Sequence, residues 1–366
     1  MRILHVINRC GKANGAAKLI LDIVANHKQK GYIADVLALV EIVPSYKQDF
    51  EKIGCSYVFI YPQGHSMMDP RLLLKMKEIM REYDIIHAHL FPAFYWVALA
   101  KVIFNLNCKL VFTEHATKNN RRRFWMRPIE RYIYKQYDYI VAISDAVKIN
   151  LENYLRLDYN IITIENGVNL AANKNIKSNL RQELGLSSDD KIIMQVAGFR
   201  PEKDQMTVIK AMSLLPSYYH AVFVGGGRLL DAHIKVANEN GLINRCHFLD
   251  VRNDVPMLLK AADVIVVSSH FEGFGLAAVE GMASQKPVIA SNVPGLSEVV
   301  KGAGLLFEPN DTPDLAQKVL SLCQNRQLYN DVAEKCYLRA LSYDISLTAE
   351  QYEMQYKTLI NDKVGE

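Results

Sequence analysis

The sequence lacks most features of secreted, metal-binding or membrane-spanning proteins. Its six cysteines form no Cys-x-x-Cys pair, so we expect free, buried thiols in a reducing cytosol. No apolar run approaches about 18 residues, which predicts no transmembrane helix. The apolar run Ile3–Ile7 is interrupted by His5 and is too short for the hydrophobic region of a signal peptide. We therefore expect a cytoplasmic protein.

An excess of charge of one sign is also missing. The chain carries 43 Lys and Arg against 39 Asp and Glu, a net charge of +4. This excess is too small to indicate nucleic-acid binding, and no nucleic-acid module accompanies it. The sequence has no Asp-x-Asp, the carboxylate pair that commonly holds a metal ion on a phosphate group. We expect neither a metal nor a cofactor.

What the sequence does contain is a regular alternation of short β-branched runs and longer amphipathic stretches. Half of its 366 residues are hydrophobic, as in globular proteins with large cores, and the length suggests two domains. Strands are predicted at Arg2–Ile7, Ala34–Leu39, Tyr57–Ile60, Ile85–Ala88, Leu110–Thr113, Tyr139–Ala142, Ile161–Ile164, Lys191–Val196, Ala221–Val224, Cys246–Leu249, Val264–Val267 and Val288–Ala290. Helices are predicted at Gly15–Lys30, Pro70–Glu82, Pro92–Phe104, Arg122–Gln136, Asp145–Tyr154 and Ile345–Ile360.

The alternation starts again after about residue 190, which predicts two α/β units, each with a parallel sheet covered on both faces. The turn signal Asn166-Gly167 and the polar stretch Ala171–Asn179 predict the join. We therefore expect an N-terminal domain over 1–170, together with a C-terminal helix at about 344–366, and a second domain over 171–343.

A glycine-rich segment after the strand Val264–Val267 carries the strongest chemical signal. Gly273 and Gly275 lack Cβ atoms, and the amides of Phe274, Gly275 and Leu276 fall at the start of a predicted helix, where free N–H groups favour an anion. Glu272 precedes this helix, and Glu280 lies one turn after Leu276. The two carboxylates suit hydroxyl groups on either side of a diphosphate. A structural turn in which Glu280 caps a local group would give the same spacing.

This segment resembles the Glu-x7-Glu signature of the retaining GT-B glycosyltransferases grouped as family 4, and so does its continuation over 281–290 with Pro294-Gly295. The resemblance implies two Rossmann-like domains facing each other across a cleft, with the C-terminal helix packing back on the N-terminal domain. It implies transfer of a sugar from a nucleotide diphosphate sugar, most readily a UDP-sugar, to a hydroxyl of a glycan or lipid-linked glycan in polysaccharide biosynthesis. Retention at the anomeric carbon is implied as well.

The resemblance also assigns donor-binding roles. Glu272 would bind sugar hydroxyls, the amides of Phe274, Gly275 and Leu276 would contact sugar and phosphate, and Glu280 would hold the ribose. The loop at Val251 and Arg252 would hold the base, largely by backbone atoms. Gly15, in the glycine-containing loop after the first strand, would face the donor diphosphate.

Two basic residues, Arg200 and Lys203, follow the strand Lys191–Val196 and are expected to clamp the diphosphate. The alternative is that both are exposed surface charges. In the family an arginine usually stands directly after the strand, four positions before the lysine. Aligned on Lys203, that place falls at Gly198 or Phe199, so Arg200 is displaced from the common pattern. Cations of this kind would stabilise the leaving group in place of a metal ion. Gly225-Gly226-Gly227-Arg228 also follows a strand, but a tight turn explains it equally well.

Histidines end two adjacent predicted strands, in His87-Ala88-His89 and in Thr113-Glu114-His115. The resemblance places His115 beside the transferred sugar and His89, more weakly, on the acceptor side. Both could instead be structural. The stretch Arg121–Arg127 combines basic charge with Phe124 and Trp125, as interfacial membrane helices do, or it is a solvated helix face. It predicts peripheral contact with the inner face of the cell membrane.

Two other activities are compatible with these features. A sugar-nucleotide epimerase of similar fold would release no nucleotide as a stable product. A catalytically silent partner of another transferase would bind a sugar nucleotide without hydrolysing it or transferring its sugar.

Overall fold

The structure, a computed structural model, describes residues 1–12, 14–117, 122–156, 160–173 and 178–361. The chain divides into two compact units. The first comprises Met1–Gly167 and Ile345–Glu366, and the second comprises Val168–Asp344. The join therefore falls beside the predicted turn at Asn166-Gly167. Part of the predicted linker, residues 174–177, lies outside the described residues.

The first unit is built on a sheet of parallel strands in the order β3-β2-β1-β4-β5-β6-β7. Most residues of the strands are buried, because helices cover the faces of the sheet. The strands are β1 (Arg2–Ile7), β2 (Ile33–Val40), β3 (Tyr57–Tyr61), β4 (Ile85–His89), β5 (Lys109–Glu114), β6 (Tyr139–Ala142) and β7 (Ile161–Thr163). The helices between them are α1 (Gly15–Gln29), α2 (Lys47–Lys52), α3 (Leu72–Met80), α4 (Ala93–Phe104), α5 (Arg127–Tyr134) and α6 (Asp145–Leu155).

The second unit repeats this plan with the parallel strand order β10-β9-β8-β11-β12-β13. Its strands are β8 (Lys191–Val196), β9 (Tyr219–Val224), β10 (Cys246–Phe248), β11 (Val264–Val267), β12 (Val288–Ser291) and β13 (Leu305–Phe307). Its helices are α7 (Leu180–Glu183), α8 (Gln205–Met212), α9 (Leu230–Glu239), α10 (Val255–Ala261), α11 (Leu276–Ala283), α12 (Leu296–Val300), α13 (Thr312–Gln324) and α14 (Arg326–Leu341).

The last helix, α15 (Ile345–Asn361), returns to the first unit. Tyr352 and Tyr356 are buried in the core of that unit, and the ring nitrogen Nε2 of His27 bonds the carbonyl of Ala349 at 3.1 Å. The predicted packing of the C-terminal helix on the N-terminal domain is therefore observed.

In each sheet the first strand lies third from one edge, and the chain builds outwards from it, first to that edge and then to the other. The strand order reverses between β1 and β4 in the first unit and between β8 and β11 in the second. This is the doubly wound Rossmann order, which binds ligands beyond the carboxyl ends of the strands at the reversal. The fold class predicted from the sequence, two Rossmann-like parallel-sheet units, is confirmed. None of the helices in the described ranges is both long and apolar enough to cross a bilayer.

Candidate active site

In the second unit, the loops that follow β8 and β11 leave neighbouring strands. The two strands pair directly, with Ile193 beside Val264. Because both strands are parallel and flank the reversal in strand order, their loops emerge at the same edge of the sheet. The structure therefore brings the basic motif at 198–204 together with the glutamate motif at 268–280.

Buried side chains fix the loop after β8. Gln195 Nε2 donates to the carbonyl of Lys203 at 2.8 Å, and the Ser268 hydroxyl donates to the carbonyl of Asp204, also at 2.8 Å. Asp204 in turn caps α8, accepting hydrogen bonds from the backbone N–H and the hydroxyl of Thr207. These bonds hold Lys203 at the end of a short 3-10 turn, Pro201–Lys203.

Lys203 and Glu272 form an ion pair between Nζ and Oε1, with side-chain exposures of 23% and 14%. The hydroxyl of Ser269 donates to the same carboxylate oxygen at 3.0 Å. The Ser291 hydroxyl donates to the carbonyl of Ser269, which fixes that residue in turn. The pair therefore offers one positive and one negative group beside the carboxyl ends of β8 and β11. An ammonium suits a phosphate, and a carboxylate suits sugar hydroxyls.

The turn from β11 into α11 requires glycine at its last residue. Gly275 has a φ of +98°, and a Cβ at this position would lie 2.6 Å from Cδ1 of Leu296. Gly295, which also has positive φ, packs against this turn: its Cβ would lie 2.7 Å from the carbonyl oxygens of Glu272 and Gly273. Only residues without a side chain allow the two segments to approach so closely.

The N–H groups of Phe274, Gly275 and Leu276 donate to no other group in the described part of the chain. The Phe274 ring is buried edge-on against Tyr343, which anchors the backbone of the turn. Three free donors at the start of a helix form an anion-binding arrangement. Glu280 lies one turn after Leu276 on the same helix and is partly exposed.

Arg200 reaches back toward the end of β8. Its side chain is 57% exposed and lies 3.8 Å from the carboxylate of Glu202. A Cβ on Gly198 would lie 3.5 Å from Nε of Arg200. The guanidinium of Arg200 therefore lies beside Gly198 at the end of β8.

The loop after β10 holds the two residues predicted to lie near a base. Val251 is exposed, whereas the guanidinium of Arg252 is bound to the carboxylates of Asp254 and Glu183, each with a contact of 2.7 Å. These ion pairs raise the pKa of Arg252. The Arg252 side chain is thus committed to the protein, and the N–H of Val251 donates to Oδ1 of Asp250 at 2.8 Å. The Asp250 carbonyl accepts a hydrogen bond from Gly225 N–H, so this loop also fixes the glycine turn at 225–227.

In the first unit, a chain of histidines runs from the core to the end of β5. Nδ1 of His5 lies 3.1 Å from Nε2 of His89, and Nδ1 of His89 lies 3.2 Å from Nε2 of His115. His5, His87 and His89 are fully buried, and His115 is partly exposed. His89 therefore lies in the core, with both ring nitrogens occupied, and not on the acceptor side as expected from the sequence.

His87 belongs to a second set of hydrogen bonds. Its ring nitrogens bond the hydroxyls of Tyr356 at 2.5 Å and Thr113 at 2.7 Å, and Thr113 also bonds the hydroxyl of Tyr352. Burial lowers the pKa of His5 to about 3 and holds that of His87 well below its usual range.

Desolvation of the ring also lowers the pKa of His115 to about 4, and full burial holds that of His89 well below its ordinary value. The four imidazoles at 5, 87, 89 and 115 are therefore neutral at pH 7.

The backbone beside His115 is braced by a buried ion pair. Arg122 Nη2 lies 3.0 Å from the Glu114 carboxylate, which also accepts a hydrogen bond from the Tyr134 hydroxyl at 3.0 Å. Arg122 is therefore not part of an exposed basic face, as the sequence suggested for the stretch 121–127. Arg121 lies outside the described residues.

Residues 123–125 of that stretch are exposed, whereas Met126 and Arg127 are partly buried. A 3-10 turn, Phe124–Met126, precedes α5 in place of one continuous helix. Phe124 and Trp125 are 82% and 55% exposed, and Ile129 and Tyr132 on α5 are about half exposed. Gly15 is also exposed, at the start of α1, where Asn14 caps the helix by accepting from the N–H of Ala16. The preceding Ala13 lies outside the described residues.

Two family models match the chain. The model described as Glycosyltransferase Family 4 matches residues 13–172, and the one described as Glycosyl transferases group 1 matches residues 176–339. An uncharacterised glycosyltransferase of Methanocaldococcus jannaschii is 31% identical over 265 residues, which is 69% of this chain and 68% of that protein.

The chain belongs to the family 4 glycosyltransferases.

Other relatives have more specific names. The N-acetyl-α-D-glucosaminyl L-malate synthase of Bacillus anthracis is 27% identical over 83% of this chain and 81% of its own. The UDP-Gal:α-D-GlcNAc-diphosphoundecaprenol α-1,3-galactosyltransferase of Escherichia coli is 27% identical over 84% and 81%. The crystal structure of Anabaena HepE in complex with UDP and glucose matches with a TM-score of 0.86 at 23% identity, covering 98% of this chain and 100% of that one. The last likeness shows the GT-B fold.

Several residues that shape the site of this family 4 glycosyltransferase were missed from the sequence. Gln195, Ser268 and Ser269 anchor the Lys203–Glu272 pair, and His5 continues the histidine chain into the core. The available signal was weak but present, because Gln195 and His5 are polar residues within otherwise apolar strands. Such residues need buried hydrogen-bond partners.

Proposed function

We propose that this glycosyltransferase moves a sugar from a UDP-sugar to a hydroxyl acceptor, with retention at the anomeric carbon and without a metal ion. The observation that carries the proposal is the Lys203–Glu272 pair beside three free amides at the start of α11. That arrangement suits a sugar diphosphate: donors and a cation for the phosphates, and a carboxylate for hydroxyls. The HepE complex with UDP and glucose supports the choice of nucleotide.

Each group of the second unit then has a role in donor binding. The amides of Phe274, Gly275 and Leu276 would bind the diphosphate with Lys203, and Glu272 would accept hydrogen bonds from the sugar. Glu280 would hold the ribose, as carboxylates do in dinucleotide-binding Rossmann units. The backbone at Val251 and Arg252 would lie against the base.

We propose that Arg200 takes the part of the family's usual arginine. The two residues aligned with that arginine, Gly198 and the buried Phe199, carry no charge, whereas Nε of Arg200 would lie 3.5 Å from a Cβ on Gly198. Together with Lys203, Arg200 would stabilise the charge that develops on the leaving diphosphate, which is what a bound metal ion does in other enzymes.

On the first unit, we propose His115 as the residue that positions the transferred sugar and Gly15 as a backbone contact for the diphosphate. The reaction would break the bond between the anomeric carbon and the diphosphate oxygen, and would form a bond to the acceptor oxygen on the same face. The acceptor proton would pass to the departing diphosphate, so no protein base is required.

The acceptor is proposed to be a glycan or a lipid-linked glycan. The E. coli relative, whose name includes a diphosphoundecaprenol acceptor, supports this class. Exposed Phe124 and Trp125, with the exposed Arg123 beside them, form a surface suited to an anionic bilayer. We propose peripheral binding to the cytoplasmic face of the membrane through this surface.

Vesicle sedimentation tests the membrane proposal. The double variant Phe124→Ala/Trp125→Ala should lose binding to anionic phosphatidylglycerol vesicles. Met354→Ala, which removes an equally exposed apolar side chain from α15, should not. Equal binding by both variants would contradict the proposed contact surface.

Nucleotide release from a panel of UDP-, GDP- and ADP-sugars tests the transferase proposal, and the anomeric configuration of the isolated product tests retention. We expect UDP to appear from one or a few UDP-sugars, and to appear faster when acceptor is present. Isomerised donor with no free UDP would indicate an epimerase. Donor binding without turnover under any acceptor would indicate a silent partner protein.

A further inference from the structure

The histidine chain His5–His89–His115 links the core of the first unit to the residue proposed to position the sugar. Both contacts join a ring nitrogen to a ring nitrogen, at 3.1 and 3.2 Å. A neutral imidazole carries one proton and one lone pair, so in each contact one ring donates and the other accepts. Because His89 uses both nitrogens, the state of each ring is coupled to that of the next.

Only two proton arrangements satisfy both contacts when all three rings are neutral. In the first, every proton is on Nδ1: His5 donates to His89, His89 donates to His115, and Nδ1–H of His115 is directed away from the chain. In the second, every proton is on Nε2, the direction of both hydrogen bonds is reversed, and Nδ1 of His115 is an acceptor.

The inner end of the chain distinguishes the two arrangements. Nε2 of His5 is buried and has no hydrogen-bond partner among the described residues. The first arrangement leaves a bare lone pair at this atom, and the second leaves an unpaired N–H. Buried unpaired N–H donors are rarer in proteins than under-used acceptors. The first arrangement is therefore the more stable of the two.

We propose that His5 and His89 are positioning residues that hold His115 in the tautomer with its proton on Nδ1, so that His115 presents a hydrogen-bond donor to the sugar. The contact between His115 and the sugar rests on the proposed function, whereas the assignment of the His115 tautomer does not. Nδ1 of His115 has no hydrogen-bond partner in the described part of the chain, so it is available to a sugar oxygen.

A metal ion is the competing explanation for clustered histidines. Ligand atoms of His5, His87 and His89 lie within 4.8 Å of one another. However, both nitrogens of His87 bond hydroxyl groups, of Tyr356 and Thr113, and His89 bonds histidine rings on both sides. A cation at this position would have to displace several of these bonds, and the existing bonds favour the neutral chain.

The test is imidazole ¹⁵N NMR on the full-length, ligand-free protein, because protonated and bare ring nitrogens resonate in separate regions. His115→Gln identifies the resonances of His115. We expect Nδ1 of His115 to carry the proton in the wild-type protein. A proton on Nε2 would overturn the proposal, and so would displacement of the His5, His87 and His89 resonances by one equivalent of Zn²⁺.

Two variants of similar volume at position 89 then separate positioning from structure. His89→Gln can accept from His5 and donate to His115, so it should preserve the His115 tautomer and most of kcat. His89→Leu breaks the chain, so the two His115 tautomers should exchange and kcat should fall about two- to tenfold with little change in the Kd for UDP. Equal tautomer populations and equal kcat in both variants would show that His89 is only structural.

The two proposals fail separately. A protein that turns over no nucleotide sugar but shows the Nδ1–H tautomer would refute the proposed function and leave the histidine chain standing. An active transferase in which His115 carries its proton on Nε2 would refute the proposed role of the histidine chain and leave the proposed function standing.

Discussion

Replacing Glu272 with glutamine should have opposite effects on nucleotide binding and on turnover. In the ligand-free protein the Glu272 carboxylate is bound to Lys203. A diphosphate must take Lys203 from this pair before it can use the ammonium. Glu272→Gln keeps the size of the side chain and removes the charge, so it frees Lys203 and removes a repulsion from the phosphates.

The size of the expected change in UDP affinity follows from the burial of the Lys203–Glu272 pair. Both side chains are less than one-quarter exposed, so breaking the pair costs about 1 kcal/mol, the upper end for exposed pairs. Removing this cost should lower the Kd for UDP about fivefold. The same substitution weakens a charge-assisted hydrogen bond to the sugar, worth about 1.5–3 kcal/mol, so kcat/KM for the UDP-sugar should fall about 10- to 150-fold.

Calorimetric titration of UDP and steady-state UDP release measure the two quantities. Glu239→Gln is the matched control, because it neutralises the carboxylate of an exposed ion pair on α9 in the same unit. This control should change neither the Kd for UDP nor kcat/KM for the UDP-sugar. Weaker UDP binding by Glu272→Gln, or unchanged turnover, would refute the account of Glu272 as a sugar-binding group that is paired with Lys203 before the donor arrives.

Three further predictions concern the ribose, the metal and the buried histidines. Glu280→Ala should raise the Kd for UDP about tenfold through loss of hydrogen bonds to the ribose, and an unchanged Kd in calorimetry would exclude that contact. Activity in the UDP-release assay should survive EDTA, and full loss restored by Mg²⁺ would contradict a metal-free mechanism. Burial depresses the pKa values of His5, His87 and His89, so the unfolded state binds more protons and stability falls as pH drops below about 6.5. Each ring should lower the free energy of unfolding by up to about 1.4 kcal/mol per pH unit in this range. Both tryptophans lie in the first unit, so their fluorescence in urea titrations measures the unfolding of that unit. A free energy of unfolding that does not change between pH 6.5 and 4.5 would contradict this prediction.

The sequence predicted most of the fold because its strands are short, apolar and regularly spaced. The bounds of β1, β6, β8 and β11 agree with the structure residue for residue. It missed β13, a three-residue strand that pairs with one neighbour, because so short a run carries no periodicity. It also merged the 3-10 turn Phe124–Met126 with α5, since both segments have helical spacing.

The candidate site was predicted less evenly. The start of α11 at Leu276, directly after Gly275, follows from strand–turn–helix chemistry. The interactions of side chains far apart in sequence were not predicted. Whether Arg252 is bound to Glu183, or Arg122 to Glu114, depends on tertiary packing that no local pattern encodes. The burial of His89 was missed for the same reason.

The most direct test of the central claim, that the diphosphate of a sugar nucleotide binds at Lys203 and the start of α11, is titration of UDP into the wild-type protein and Lys203→Met. Loss of a charge-assisted hydrogen bond to phosphate, about 1.5–3 kcal/mol, should raise the Kd about 10- to 150-fold. Lys235→Met, which removes a lysine from the exposed pair with Glu239, should leave the Kd unchanged. Equal affinity of the wild-type protein and Lys203→Met for UDP, or no binding of UDP by the wild-type protein, would contradict the account.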